Sequence, residues 1–177
     1  FDMHPEAAIV EGLLPAKAPS VRLAQALMRR AYRSFDLIAD LGMCMRSRLR
    51  KYEHNALECE LTPWALTEPV KPIVCDSDTR RELFGDARIG VLYSGNFGEA
   101  HDFVQILDLA RQMRSAPEVH FCFAVRGNRA ASLREAVTSD DINVSFAGFA
   151  SIEDLEKRLG SADIHLVSLK KEWTGIA

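Results

Sequence analysis

Short apolar runs alternate with longer amphipathic segments along the second half of the chain. The apolar runs predict four strands, over residues 89–93, 119–125, 142–149 and 163–169. An apolar stripe at helical spacing predicts a helix over residues 99–114; its members are Phe103, Ile106, Leu107, Ala110 and Met113. Further helices are predicted over residues 130–137 and 151–162, the latter capped by Ser151. Apolar strands that alternate with helices indicate an α/β fold with a parallel sheet covered on both faces.

The first part of the chain has a less regular pattern. Residues 21–35 carry apolar side chains at helical spacing with four arginines among them, which predicts an amphipathic helix. Residues 36–42 predict a short strand that ends in a glycine turn, and residues 45–52 predict a basic helical turn. Residues 59–72 contain three prolines. Because proline neither continues a helix nor donates to a central strand, we expect a strand end and an interdomain linker there.

Composition indicates a soluble globular protein, since 47% of the 177 residues are hydrophobic and 27% are charged. The four cysteines show no zinc-binding spacing, so we expect reduced thiols in a cytosolic protein. No apolar run has the length of a membrane span, and the sequence contains no signal peptide.

Charge is distributed unevenly along the chain. Residues 1–52 contain nine Lys and Arg against five Asp and Glu, whereas the remainder contains thirteen against twenty. A basic N-terminal third suits an anionic lipid surface or a phosphorylated acceptor. A solvated helix face explains the same charges. Both interpretations stay open at the level of sequence.

Four loops are predicted at the carboxyl ends of the strands, where open parallel sheets bind ligands. They cover residues 94–98, 126–129, 148–151 and 170–175. Three have glycine directly after the strand, and helix N-termini, which bind anions, follow them. This geometry suits a phosphorylated ligand, but glycines at strand ends are also ordinary turn residues, and both interpretations stay open from the pattern alone. The sequence "SGNFGEAHD" has G-x-x-G and not the dinucleotide fingerprint, and the P-loop pattern is absent, which argues against a nicotinamide cofactor.

Several segments in order resemble one family. The sequences "VLYSGNFGEAHDFVQILDLA", "VHFCFAVRGN", "INVSFAGFASIEDLEKRLGSADIHLVSL" and "KEWTGIA" resemble the donor half of a family 4 glycosyltransferase of the GT-B type. The sequences "FDMHPE", "SFDLIADLGMCMRSRL" and "LTPWA" resemble the end of the acceptor domain in the same enzymes. The resemblance covers most of the chain.

The resemblance implies a domain organisation. We expect a Rossmann-like donor domain over residues 88–177, a linker over residues 67–87 and a partial second Rossmann-like domain over residues 1–66. The donor domain is expected to be incomplete at its C-terminus, because the second member of a Glu-x7-Glu motif would lie beyond Ala177. The chain begins at Phe1 and not at Met, so we also expect its natural N-terminus to be absent.

The resemblance also implies an activity. It is the transfer of a sugar, with retention at the anomeric carbon, from a nucleotide-diphosphate donor to a glycan or lipid-linked acceptor. The donor diphosphate itself accepts the proton, so neither a metal nor another cofactor is required. No nucleic acid partner is expected. The implied location is the cytoplasm or the inner face of the membrane, with peripheral contact to anionic lipid. A nucleotide-sugar epimerase and a non-catalytic nucleotide-binding module are the alternatives.

Site residues follow from the resemblance by position. Glu172 matches the carboxylate near the donor sugar, and His4 aligns loosely with the acceptor side, with Asp2 and Glu6 beside it. The remaining residues would contact the donor nucleotide: Gly95, Asn96, Phe97, Gly98, His101, Arg126, Gly127, Gly148, Phe149, Gly175 and Ile176.

One departure from the family pattern concerns charge. Asn96 and His101 stand where many relatives have a cationic Arg and Lys pair, and Arg126 is expected to supply some of the missing charge. A surface histidine in a first helical turn explains His101 equally well. His120 and His165 alternate with apolar residues in predicted strands and are expected to be core-edge histidines without a catalytic role.

Overall fold

A computed structural model describes residues 3–62 and 73–176 of the chain. These residues form two compact units. The first takes the described residues of 1–67 together with those of 169–177, and the second takes the described residues of 68–168. Each unit contains parallel strands flanked by helices, so the predicted α/β class with parallel sheets is confirmed and is compatible with a Rossmann-like fold.

The first unit is built around a two-stranded sheet. Its elements are α1 (Glu6–Val10), α2 (Pro19–Tyr32), β1 (Leu37–Asp40), α3 (Met43–Leu49), a 3₁₀ turn (Arg50–Tyr52), β2 (Leu57–Glu60) and a second 3₁₀ turn (Lys171–Trp173). The carboxylate of Asp40 ends β1 and shapes the turn into α3, because it accepts hydrogen bonds from the Gly42 amide at 2.8 Å and from Arg46 Nε at 2.7 Å.

The two faces of this small sheet differ. β1 and β2 pair in parallel, with Leu37 opposite Leu57. These two leucines share one face and are 57% and 75% exposed. The opposite face carries Ile38 and Asp40, which are 7% and 1% exposed. The covered face of the sheet is therefore the one that holds the buried carboxylate.

The second unit contains a four-stranded sheet within its described residues. Its elements are α4 (Ser77–Phe84), β3 (Ile89–Asn96), α5 (Val104–Gln112), β4 (Val119–Arg126), α6 (Ala130–Ala136), β5 (Val144–Phe146), α7 (Ile152–Gly160) and β6 (Ile164–His165). Asp76 caps α4 by accepting from the Thr79 amide, and Ser151 caps α7 by accepting from the Asp154 amide, as predicted for Ser151.

All four strands of the second unit are parallel, in the order β5-β4-β3-β6. Two apolar cores cover the two faces. One core joins Tyr93, Phe121 and Phe123 of the sheet to Phe103, Ala110 and Leu133 from the region of α5 and α6. The other joins Leu92 and Cys122 to Leu83 and Phe84 of α4 and to Leu159 of α7. Successive side chains along these strands point to opposite faces and are mostly apolar, so both faces of the sheet are buried.

Element boundaries differ from those predicted. β3 continues to Asn96, where it still pairs with Arg126, so Gly95 lies in the strand and not in a loop. The helix predicted from residue 99 begins only at Val104, because Asp102 accepts a hydrogen bond from the Val104 amide and holds the preceding segment as a loop. β5 and β6 are shorter than predicted. Among the described residues, β5 pairs with β4 alone, and β6 pairs with Val91 and Leu92 of β3 alone.

The division into units also departs from the predicted boundaries. Helix α4 belongs to the second unit although it falls inside the range 67–87 predicted as linker; its Leu83 and Phe84 complete one of the cores. The described residues of 169–177 belong to the first unit, where the Met3 amide donates to the carbonyl of Ile176 at 2.9 Å. Residues 63–72, which include most of the segment "LTPWA", lie outside the described structure.

Candidate functional site

The strand order of the second unit creates one distinctive edge. The chain passes from β3 to β4 and β5 on one side and then returns to place β6 on the other side of β3. The direction of strand order therefore reverses between β3 and β6. In open α/β sheets, ligands bind at the carboxyl ends of the strands that flank such a reversal. The loops after β3 and β6 are accordingly the first place to look for a site.

His101 links those two loops. Its Nδ1 atom lies 2.8 Å from the carbonyl oxygen of Ser168, in the segment after β6, and 3.1 Å from the hydroxyl of Tyr93 on β3. The Asp102 amide donates to the Ser168 hydroxyl at 3.2 Å. The imidazole stacks on Phe97, with ring centroids 5.5 Å apart and an angle of 27° between the planes. His101 is thus held in a loop before α5 and not in the first helical turn.

The loop after β4 packs against the loop after β3. Gly127 has a φ of +121°, and a Cβ there would lie 2.6 Å from the carbonyl oxygen of Phe97. The Phe97 amide donates to the Arg126 carbonyl at 2.6 Å, and the Arg129 amide donates to the Phe97 carbonyl at 3.1 Å. Glycine at 127 is required both by its backbone angle and by this close approach.

Both glycines of the Gly95–Gly98 segment leave open space around them, as does Gly148. A Cβ built on Gly95 meets no atom within 4 Å, and one on Gly98 would come no closer than 3.8 Å to the side chain of Asn128. Neither glycine has a positive φ. The fold itself therefore does not require glycine at these positions. An external group that approaches the backbone would give them a reason, as predicted for a diphosphate.

Arginines gather at the same edge of the sheet. The guanidinium of Arg126 lies 4.0 Å from the ring centroid of Phe149, which is 49% exposed. Arg158 donates to the carbonyl of Gly148 at 2.5 Å. Arg129 pairs with Glu99 at 3.4 Å, whereas Arg126 has no carboxylate partner among the described residues. Arg126 and Phe149 together present a charged and aromatic surface beside the β3 loop.

The predicted residues near the chain ends lie in the first unit. His4 is exposed, and the backbone carbonyl of Glu172, whose side chain is exposed, accepts from Arg48 Nη2 at 3.3 Å. Gly175 has a φ of +72° and packs on the carbonyl of Cys44. Ile176 is fully buried, with its amide bonded to the Trp173 carbonyl and its own carbonyl to the Met3 amide. Their ligand contacts stay predictions.

The other acidic and histidine positions have structural partners. Glu6 accepts a hydrogen bond from the Tyr52 hydroxyl, and Asp2 lies outside the described residues. His120 bonds to the Ser145 hydroxyl at 2.9 Å, and burial lowers the pKa of its imidazole, which agrees with a core-edge position. His165 was expected at a core edge but is exposed, because β6 is an edge strand; its Nε2 lies 3.0 Å from the Leu159 carbonyl.

The described part of the chain adds three further facts. It contains no group of three or more His, Cys, Asp or Glu side chains arranged to hold a metal ion. None of its helices combines the length and the apolar character needed to cross a bilayer. Its four cysteines, Cys44, Cys59, Cys75 and Cys122, are free thiols.

Sequence reasoning missed two residues of the site, Tyr93 and Ser168. Tyr93 was assigned only to an apolar strand, and Ser168 only to the last predicted strand. Their role depends on β6 lying beside β3, which is a property of the sheet order and not of local pattern. The one local signal that could have pointed to Ser168 is its place at the end of the final apolar run.

The fold and the candidate site define a class, an α/β domain with a parallel sheet that is compatible with a Rossmann-like fold and with polar side chains at the reversal of strand order. Comparison with known proteins adds no name to this class. No family model matches the chain, and no curated protein matches it either.

Proposed function

We propose that the chain is part of a retaining glycosyltransferase of the GT-B type, which moves a sugar from a nucleotide-diphosphate donor to a glycan or lipid-linked acceptor. The observation that carries the proposal is the reversal of strand order between β3 and β6, with the Gly95–Gly98 segment at its carboxyl edge. The sequence resemblance to family 4 enzymes assigns the donor diphosphate to this same segment, so two independent arguments converge on one edge.

The site residues have distinct roles under this proposal. The open backbone at Gly95 and Gly98 admits the diphosphate, and Asn96 and His101 lie beside it. Arg126 contributes positive charge, and the segment of Gly148 and Phe149 contacts the nucleobase. Such an enzyme accelerates transfer mainly by positioning the donor and stabilising charge on the leaving diphosphate. Glu172 and His4 are assigned to the donor sugar and the acceptor by resemblance alone.

The surface of α2, a helix without any Asp or Glu, supports the proposal of a lipid-linked acceptor. Its exposed side includes Leu23 and Leu27, which are 63% and 59% exposed, together with the exposed Arg22 and Arg30. Mixed basic and apolar surfaces of this kind bind anionic bilayers. A lipid-linked acceptor at the cytoplasmic face of a membrane is therefore the favoured substrate class.

Binding of the donor tests the proposal directly. The 177-residue chain is titrated calorimetrically with UDP, GDP and their hexose conjugates. Gly95→Ala is the informative variant, because its Cβ meets nothing within 4 Å and folding should be unaffected, whereas a diphosphate against the backbone would be displaced. We expect binding to weaken by about tenfold or more, as for the loss of one good contact of about 1.4 kcal/mol.

Ser115→Thr is the matched control, since it adds one methyl group in the turn before β4, at the opposite edge of the sheet. It should leave binding unchanged. Melting temperatures of both variants should equal that of the unmodified chain. Failure of every nucleotide to bind at millimolar concentration would refute the proposal.

The absence of fixed cations at Asn96 and His101 gives some weight to a non-catalytic nucleotide-binding module. An epimerase is the other alternative. Analysis of products separates the three: an epimerised donor without acceptor indicates the epimerase, and an unchanged donor with any acceptor indicates the binding module.

A further inference from the structure

The hydrogen bonds of His101 define where its proton resides. The carbonyl oxygen of Ser168, 2.8 Å from Nδ1, can only accept a hydrogen bond, so Nδ1 must carry a hydrogen. The Tyr93 hydroxyl oxygen lies 3.1 Å from the same nitrogen and accepts a second, weaker hydrogen bond from it. In a neutral imidazole only one nitrogen is protonated. The Nε2 atom of neutral His101 therefore carries a lone pair.

Nε2 has no hydrogen-bond partner among the described residues, because the polar contacts of the imidazole all involve Nδ1. The His101 side chain is also partly exposed. Nε2 is therefore reachable by solvent. The imidazole is rigidly held on one side by Ser168 and Phe97 and leaves its second nitrogen open at the β3–β6 edge.

The groups that face His101 from the neighbouring elements are uncharged or are bonded to other residues. From β3, the neighbour is Tyr93, whose pKa is raised by burial, so its hydroxyl stays protonated and uncharged at neutral pH. From the loop itself, Asp102 accepts from the Val104 amide and Glu99 pairs with Arg129. From the segment after β6, the Ser168 carbonyl contacts His101, and the Ser168 hydroxyl accepts from the Asp102 amide. Phe97, stacked on the ring, is apolar.

We propose that His101 Nε2 is a proton-dependent phosphate ligand: it takes up one proton when a diphosphate binds and then donates a charge-assisted hydrogen bond to a phosphate oxygen. This inference rests on the proposed donor site. A lysine or arginine would be charged at every physiological pH, but histidine changes its charge between about pH 5 and 8. Affinity should therefore be high in mild acid and fall as pH rises. Release of the diphosphate would return the proton to solvent.

His101→Asn isolates this role. The amide nitrogen of asparagine can replace Nδ1–H as the donor to the Ser168 carbonyl, but asparagine has nothing at the position of Nε2. His165→Asn is the matched control, because His165 is an exposed histidine that contacts only the Leu159 carbonyl. Dissociation constants for UDP and for inorganic pyrophosphate are measured by calorimetry at pH 6 and pH 8, in two buffers with different ionisation heats.

Relative to His101→Asn, the unmodified chain and His165→Asn should bind about tenfold more tightly at pH 6 than at pH 8. Over these two pH units, that change corresponds to an average uptake of about half a proton per ligand. The ligand's own phosphate groups also change protonation near pH 6. Dividing each dissociation constant by the His101→Asn value at the same pH cancels that contribution. Equal pH dependence in the unmodified chain and His101→Asn would overturn the inference and leave the donor site intact. Lack of binding at both pH values would overturn both.

A measurement on the unmodified chain guards against a variant that fails to fold. Imidazole ¹⁵N spectra should show Nδ1 of His101 protonated throughout and Nε2 as the titrating atom. Saturating UDP should move that titration to higher pH. A protonated Nε2 in the neutral form, or a titration that UDP does not move, would contradict the inference.

Discussion

The two parallel sheets of the chain bury their side chains to very different degrees. In the second unit, Leu92, Phe121 and Phe123 are 0%, 1% and 1% exposed. In the first unit, Leu37 and Leu57 face each other across the paired strands and are more than half exposed. β1 and β2 are short and mix apolar residues with Asp40, Glu58 and Glu60, whereas β3 and β4 are longer and mostly apolar. Apolar residues in a strand therefore predict the strand, but the number of layers around the sheet decides whether they become a core.

The two units also differ in where they hold a buried carboxylate. Asp40 of the first unit lies on the sheet itself, with Arg46 on α3 as its partner. Asp141 of the second unit lies in the turn before β5, where it accepts from Arg111, Arg114 and the Thr138 amide. The second sheet is consequently apolar on both faces. Packing should dominate the stability of the second unit, and an ion network should matter more in the first.

Truncation of a central side chain should give the largest effect and test this contrast. Phe123 is 1% exposed and packs near the rings of Tyr93 and Phe146. Phe123→Ala should lower the free energy of unfolding of the second unit by about 4 kcal/mol, through lost burial and a cavity. Urea unfolding with native-state hydrogen exchange of the β3 and β4 amides measures it.

The matched variant is Leu57→Ala on the first sheet, where the side chain is 75% exposed. It should change stability by no more than about 0.5 kcal/mol. A loss as large as that of Phe123→Ala would mean that this apolar face is buried in solution, and the contrast between the sheets would no longer hold.

Removal of each buried carboxylate should give the next largest effects. Asp40→Asn leaves Arg46 without its main partner and should cost about 3 kcal/mol in the first unit. Asp141→Asn should cost about 2 kcal/mol in the second unit, because Arg111 and Arg114 are 36% and 40% exposed and water already screens them. Hydrogen exchange of the β1 and β4 amides distinguishes the two units.

The pH dependence has a definite sign. Burial alone would raise the pKa of Asp40, but the hydrogen bonds from Arg46 and Gly42 outweigh it and the pKa is lowered. Hydrogen bonds from Arg111 and the Thr138 amide also hold the pKa of Asp141 well below its usual range. Because both values are lower than in the unfolded chain, the stabilisation is complete above about pH 4 and is lost as pH falls. Each Asn variant should therefore reduce the loss of stability at low pH in its own unit and leave that of the other unit unchanged.

Hydrophobic periodicity predicted most of the second unit. The four strands and the helices α5, α6 and α7 all occur where apolar spacing placed them, because these segments bury the faces that the pattern marks. Helix α4 was missed, since Leu83 and Phe84 are too few to produce a recognisable stripe in the charged sequence "SDTRRELF". The end of β3 was missed because residues 94–96 are small or polar yet still pair with β4.

Contacts between distant segments could not be read from the sequence. The bond between His101 and Ser168 joins residues that meet only when β6 lies beside β3. The pairing of Asp141 with Arg111 and Arg114 depends likewise on the turn before β5 reaching the end of α5. Local pattern carries no information about strand order. The candidate loops were therefore predictable, and the side chains that define the site within them were not.

The last contrast concerns arginines that have partners and arginines that do not. In α2 of the first unit, Arg22 and Arg30 are exposed and have no ion pair among the described residues, whereas Arg33, directly after α2, bonds to Glu53 at 3.0 Å and Arg29 lies 3.9 Å from it. If α2 binds an anionic bilayer, the unpaired arginines should contribute most. Each cation near such a surface accounts for about fivefold in affinity.

Cosedimentation with vesicles of phosphatidylglycerol and phosphatidylcholine measures this effect. Arg22→Gln with Arg30→Gln should weaken binding by about twentyfold at low salt. Arg29→Gln with Arg33→Gln removes the same net charge but should weaken binding by less than about threefold, because Glu53 already neutralises part of that pair. Equal losses would show that only total charge matters and that α2 has no specific role. Binding that persists on pure phosphatidylcholine would exclude the electrostatic account, since no anionic lipid would then be needed.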